Sequence, residues 1–106
     1  MIIIESNKYK KSVKKVLKNK KRELERLENI KNIILISENL HILLLSEFKN
    51  IYRIEKKTGN LKEYYTARLN EKIRLLMKPV GEYPYKEMEV TEIVLENIDD
   101  KHYGEG

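Results

Sequence analysis

Cysteine is absent from this chain of 106 residues. Disulfides and thiolate metal sites are therefore excluded. Long hydrophobic runs are absent too. The apolar start Met1-Ile2-Ile3-Ile4 is ended by Glu5. That is too short for a signal peptide or a membrane span, so a cytoplasmic protein without membrane contact is expected. No phosphate-cradling glycine loop, nucleophile elbow or zinc-ligand spacing occurs. There is no internal repeat and no linker, which leaves one domain over residues 1–106 with a small core.

What is present is charge, unevenly placed. Residues 1–31 hold 11 Lys/Arg against 4 Asp/Glu, and residues 32–106 hold 11 against 13. The net charge of +5 thus lies in the first third. A basic segment of this kind suits an anionic partner, although a lysine-rich solvated helix face has the same composition.

Ile2 to Ile4 read as a short β-branched strand. Ser6 or Asn7 can cap the helix that follows. There Tyr9, Val13, Val16, Leu17, Leu24 and Leu27 make one apolar stripe, with the aliphatic stem of Lys20 bridging its gap. Residues 30–48 carry a second helical pattern. A break is possible near Ser37-Glu38-Asn39, and Ile33 to Ile36 could alternatively be strand. The two segments are expected to pack as a helical hairpin. His41 falls in the second and is given no role, since a lone helical histidine is more often structural or solvated.

Lys56 to Asn60 form a basic turn. Tyr64–Leu69 and Ile73–Lys78 then alternate as strands. With Asn70-Glu71-Lys72 as a three-residue loop, Leu69 faces Ile73, Ala67 faces Leu75 and Tyr65 faces Met77. One apolar face results, and Arg68 lies opposite Arg74 on the other. A two-residue loop would mix the faces. Val90 to Ile98 form a last strand, after which the tail carries His102 and Tyr103. The pattern predicts an α+β domain: a short N-terminal strand, a helical hairpin, then an antiparallel sheet.

Two arginines directly opposite on a sheet repel unless an anion sits between them, so the pair points to phosphate. The bland reading is two exposed arginines that splay apart. A histidine can move a proton near neutral pH. Metal-free RNA cleavage needs a base at the 2′-hydroxyl, an acid at the leaving 5′-oxygen, and cations for the charge on phosphate. His102 can serve as acid or base, and Arg68 and Arg74 as cations. Lys56, Lys57 or Lys62 can add a further charge, and Tyr103 can stack on a base or orient phosphate. Asp99, Asp100 and His102 are a weak metal signal with Lys101 in their midst. No cofactor is expected.

Residues 55–77, Glu55-Lys56-Lys57-Thr58-Gly59-Asn60-Leu61-Lys62-Glu63-Tyr64-Tyr65-Thr66-Ala67-Arg68-Leu69-Asn70-Glu71-Lys72-Ile73-Arg74-Leu75-Leu76-Met77, resemble the central hairpin of the RelE/HigB superfamily of bacterial toxins. The closing Ile98-Asp99-Asp100-Lys101-His102-Tyr103 resembles that family's last strand. The resemblance implies a toxin of a type II toxin–antitoxin system, a ribosome-dependent endoribonuclease that cuts mRNA in the decoding site without a metal. It implies a hetero-oligomer with a cognate antitoxin, of helix-turn-helix type, besides contact with ribosome and mRNA. By position Arg74 matches the catalytic arginine, His102 the acid or base, Tyr103 its aromatic neighbour and Arg68 a phosphate contact, with Lys62 or Lys57 a looser match to a helper lysine. Glu63 stands where many members have glycine, and the connection Pro79 to Met88 is longer than usual.

Two other readings use different residues. A ParE-type toxin that poisons gyrase would share the fold without the nuclease site. A basic nucleic-acid-binding module would rely on residues 8–31 and ignore His102.

Overall fold

The computed structural model describes residues 1–101. Five strands form one sheet in the order β1-β5-β4-β3-β2: β1 is Ile2–Glu5, β2 Glu55–Lys56, β3 Tyr65–Arg68, β4 Arg74–Pro79 and β5 Glu92–Asp99. The four-strand part is antiparallel, as expected. The added strand β1 runs parallel to β5, so the sheet is mixed. Helices α1 (Asn7–Val16), α2 (Lys21–Ile36), α3 (Leu40–Leu45) and α4 (Phe48–Ile51) lie between β1 and β2 in sequence. Together they bury one face of the sheet.

The helical segment departs from the expected hairpin. The stripe from Tyr9 to Leu27 is not one helix. Asn19 takes a left-handed backbone with φ of 62°, which ends α1 and starts α2. Asparagine tolerates this conformation better than most residues. The corner therefore falls at residues 17–20 and not near residue 30. Ile33 to Ile36 are helical, and the break at Ser37-Glu38-Asn39 is real. The Ser37 hydroxyl donates to the Ile33 carbonyl at 2.6 Å, and the Asn39 side chain accepts from the Ile42 N–H at 2.9 Å to cap α3. Ser6 caps α1 by accepting from the Tyr9 N–H at 3.0 Å.

The core is a single cluster. Leu27, Ile30, Ile33 and Ile34 of α2 and Leu40 and Leu43 of α3 meet Tyr65, Ala67, Leu75, Met77, Ile93, Leu95 and Ile98 of the sheet. The β3–β4 register is the expected one: Tyr65 pairs with Met77, Thr66 with Leu76, Ala67 with Leu75 and Arg68 with Arg74. The loop closes as expected as well. Leu69 N–H donates to the Ile73 carbonyl at 2.9 Å, and the Asn70 side chain accepts from the N–H groups of Lys72 and Ile73 at 2.8 and 2.7 Å. This is an Asx turn, in which the side chain replaces a missing backbone partner.

Strand β5 begins at Glu92, two residues later than expected, and contains a bulge. Leu95 pairs with Met77 and Asn97 with Leu76, so Glu96 has no partner in β4. Helix α1 takes up the groups near it. The Ser6 hydroxyl donates to the Glu96 carbonyl at 3.1 Å, and the Ser12 hydroxyl accepts from the Ile98 N–H at 2.8 Å. One extra residue flips the parity of the strand. Leu95 and Ile98 both reach the core, and Asp99 moves to the other face.

Candidate active site on the open face of the sheet

The core residues of the helices pack on the first face; on the other, Thr66, Leu76 and Asp99 are buried while Arg68, Arg74 and Lys78 stay partly exposed. The rows of this other face follow from the register. Arg68, Arg74 and Asp99 stand side by side across β3, β4 and β5. Thr66, Leu76 and Asn97 make the next row, and Lys78 and Val94 a further one. Directly opposite residues of an antiparallel pair lie about 5 Å apart at Cα, so the two guanidinium stems leave the sheet as near neighbours. No carboxylate among the described residues forms an ion pair within 4.0 Å of either arginine. Both arginines remain partly exposed.

Asp99 is buried, with one oxygen accepting from the Lys101 N–H at 3.0 Å and the other without a partner among the described residues. Burial raises its pKa, against the lowering effects of the Lys101 hydrogen bond and of Arg74. A carboxylate here, in an incompletely satisfied setting, completes a polar row with the two arginines. The bulge is what brings it there. No pattern in the sequence announces a bulge, and in the sequence Asp99 reads only as part of a weak metal signal.

The end of β3 that presents Arg68 is held from behind. The Arg26 guanidinium on α2 donates to the Arg68 carbonyl from Nε at 2.7 Å and to the Ile51 carbonyl from Nη2 at 2.7 Å. Its plane sits 4.6 Å from the centre of the Tyr52 ring. The Arg68 N–H donates to the Tyr52 carbonyl at 2.8 Å. One turn earlier on α2, Glu23 accepts from the Asn70 side chain at 2.8 Å, and this hydrogen bond lowers the Glu23 pKa. Helix α2 thus clamps both the end of β3 and the tip of the hairpin. Sequence reasoning missed Arg26, because its partners are main-chain carbonyls remote in sequence.

The remaining expected site residues fall as follows. Lys62 precedes β3, whereas Arg68 ends it, and the Lys62 ammonium lies 5.4 Å from the centre of the Tyr83 ring. It is therefore not brought to the arginine pair. Lys56 pairs with Tyr65 across β2 and β3, in a row different from Arg68, and Lys57 follows it. His102 and Tyr103 lie outside the described residues. Among the described residues no group of three or more His, Cys, Asp or Glu gathers to hold a metal ion. No helix there is long and apolar enough to cross a membrane.

No protein-family model matches the chain, and no curated protein matches it. Solved structures do. YafQ from E. coli strain BL21(DE3) superposes with a TM-score of 0.64 at 13% identity, covering 92% of this chain and 90% of that one. A histidine-to-glutamine mutant of E. coli YafQ gives 0.60 at 17% identity over 92% and 90%. The E. coli DinJ–YafQ toxin–antitoxin complex gives 0.59 at 17% identity over 92% and 89%. The chain shares the fold of this toxin over nearly its whole length.

Proposed function

We propose that this protein is the toxin of a type II toxin–antitoxin pair and an mRNA endoribonuclease that acts on the ribosome. The observation that carries the reading is the arginine pair: Arg68 and Arg74 are directly opposed across β3 and β4, with no carboxylate among the described residues in an ion pair with either, in a fold shared with YafQ. The complex of YafQ with DinJ supports a cognate antitoxin as partner here.

In this reading Arg68 and Arg74 hold the scissile phosphate and stabilise the charge that builds on it. The 2′-oxygen attacks phosphorus as its proton leaves, the bond to the 5′-oxygen breaks as that oxygen gains a proton, and His102 moves one of these two protons while solvent water exchanges the other. His102 is three residues beyond Asp99, within a covalent reach of about 10 Å, and Asp99 pairs with Arg74. Tyr103 stacks on a base beside the cut. Lys62 serves the RNA away from the reacting phosphate. The lysines of α1 dock on ribosomal RNA in the cytoplasm, and residues 1–106 act as one domain.

The test is cleavage of mRNA on programmed ribosomes by the purified chain, with His102→Gln as control. Glutamine keeps hydrogen bonding but carries no proton at neutral pH. A loss of roughly a hundredfold in single-turnover cleavage with ribosome binding retained is expected. A wild-type chain that leaves ribosome-bound mRNA intact would overturn the reading. So would a His102→Gln chain that cuts equally well from pH 6 to 8.

A further inference from the structure

The arginine row occupies one end of the open face. Beyond the other end, marked by Lys78 and its neighbour Tyr64, lies an aromatic cluster whose rings the nuclease reading does not use. The Lys78 ammonium lies 5.8 Å from the centre of the Tyr64 ring, and Lys62 holds the matching position at Tyr83. Tyr83 meets Tyr85 edge to face, with centroids 5.6 Å apart and an interplanar angle of 89°. The Tyr85 hydroxyl donates to the Glu63 carbonyl at 2.8 Å, which fixes the loop 80–89 against the start of β3. A shallow cavity of about 400 Å³, within the range of small-ligand pockets, opens in this loop beside Tyr83, Pro84, Tyr85 and Lys86.

We propose that Tyr64 and Tyr83, with Lys62 and Lys78, form a stacking subsite for unpaired bases of single-stranded RNA, distinct from the cleavage site. Two observations and one general property of bases converge on it. First, both rings are only partly buried, and an ammonium already sits over each. An exposed ammonium–ring contact is weaker than the stacking of a base on the same ring, so a base can displace it. The released lysine is then placed for the flanking phosphate. Second, Lys78 and Arg74 are on the same face of β4, four residues apart, or about 13 Å. A short run of nucleotides spans that distance, so one strand can touch both ends of the face. Third, every base has a π-face, so such a platform holds RNA without reading its sequence.

Charge at this end is largely balanced. Glu63 lies 3.9 Å from Lys78, and Glu89 lies 4.0 Å from Lys86. Glu87 is taken by the Tyr65 hydroxyl at 2.8 Å. Stacking, and not phosphate attraction, is therefore the main source of affinity here. That sets the signature of the test.

The identity of the ligand rests on the RNA-cleaving reading, and the experiment separates the two. Binding of a dye-labelled, unstructured single-stranded RNA octamer to the full chain is followed by fluorescence anisotropy over a series of salt concentrations. Tyr83→Ala weakens binding by about tenfold, Tyr83→Phe stays within about twofold, and the salt slope stays the same in both because no cation is removed. Tyr83→Leu keeps the apolar bulk of the loop without the π-face and behaves like the alanine variant, which covers the case of an alanine chain that does not fold. Leucine binding as well as wild type, phenylalanine losing as much as leucine, or a wild type that does not bind the octamer would each overturn the subsite. A wild type that binds the octamer through Tyr83 but cleaves nothing on the ribosome overturns the nuclease reading and leaves the subsite standing.

Discussion

Arg74 and Leu75 are consecutive residues of β4, yet they belong to two different chemistries. Leu75 is fully buried between Ala67 and Ile98, under the helices. Arg74 is turned to the other face, between Arg68 and Asp99. The two-residue period of a strand divides the same backbone into a face that holds the fold and a face that bears the arginine row. Damage to one face should therefore leave the other readable.

The sharpest way to break that separation is at the pair itself. Leu75→Ala removes a side chain from the centre of the core and should destabilise the protein by about 2–5 kcal/mol, seen as a lower urea midpoint. Arg74→Ala should change stability by less than about 0.5 kcal/mol. It should instead slow single-turnover cleavage by roughly a hundredfold, as expected when one cation for the transition-state phosphate is lost. Arg74→Ala chains that unfold as easily as Leu75→Ala chains would erase the division between the faces. Full cleavage by a folded Arg74→Ala chain would remove Arg74 from the reaction.

Arg26 tests how far the core side supports the open side. It fixes the Arg68 carbonyl from the helix side. Arg26→Ala should cost about 1–3 kcal/mol, because the carbonyls of Arg68 and Ile51 lose their donor. Cleavage should fall several-fold through a displaced Arg68. Arg26→Lys can restore charge but not the fork of two hydrogen bonds over Tyr52, so it should rescue little of either. Complete rescue by lysine would show that charge alone matters at this position.

The same contrast explains what could be read from the sequence. The hairpin was legible because its signals are local: alternation in both strands and an asparagine that closes the loop with its own side chain. Once the loop length was set, Arg68 had to face Arg74. The helix break at Asn19 was not legible. The apolar stripe continues across it, and Leu17 beyond α1 is buried as deeply as a helical core residue. Strand β2 has two residues, too few to show a period. The bulge at Glu96 depends on hydroxyls of Ser6 and Ser12, some 90 and 86 residues away in sequence. Arg26 and Asp99 owe their places to such long-range backbone contacts, and side-chain patterns do not record them.

Asp99 gives the smallest expected effect, and it sharpens the comparison because it belongs to both faces. It is as buried as a core residue but stands in the arginine row. Its pKa is raised in the folded state, chiefly by burial. The folded chain thus holds this proton more tightly than the unfolded one. Asp99 contributes most to stability below the ordinary carboxylate pKa of about 3.9, and that contribution is lost as pH rises through the raised folded value. At pH 7 its charge is a cost. Asp99→Asn keeps the acceptor for the Lys101 N–H and removes that charge. The variant should therefore be slightly more stable than wild type at pH 7, with the gain shrinking as pH falls toward 4. Urea midpoints at several pH values measure this directly. If Asp99→Asn is instead less stable at pH 7 and recovers in acid, the carboxylate is held in its charged form by Arg74, and the arginine row is a structural ion pair before it is a phosphate site.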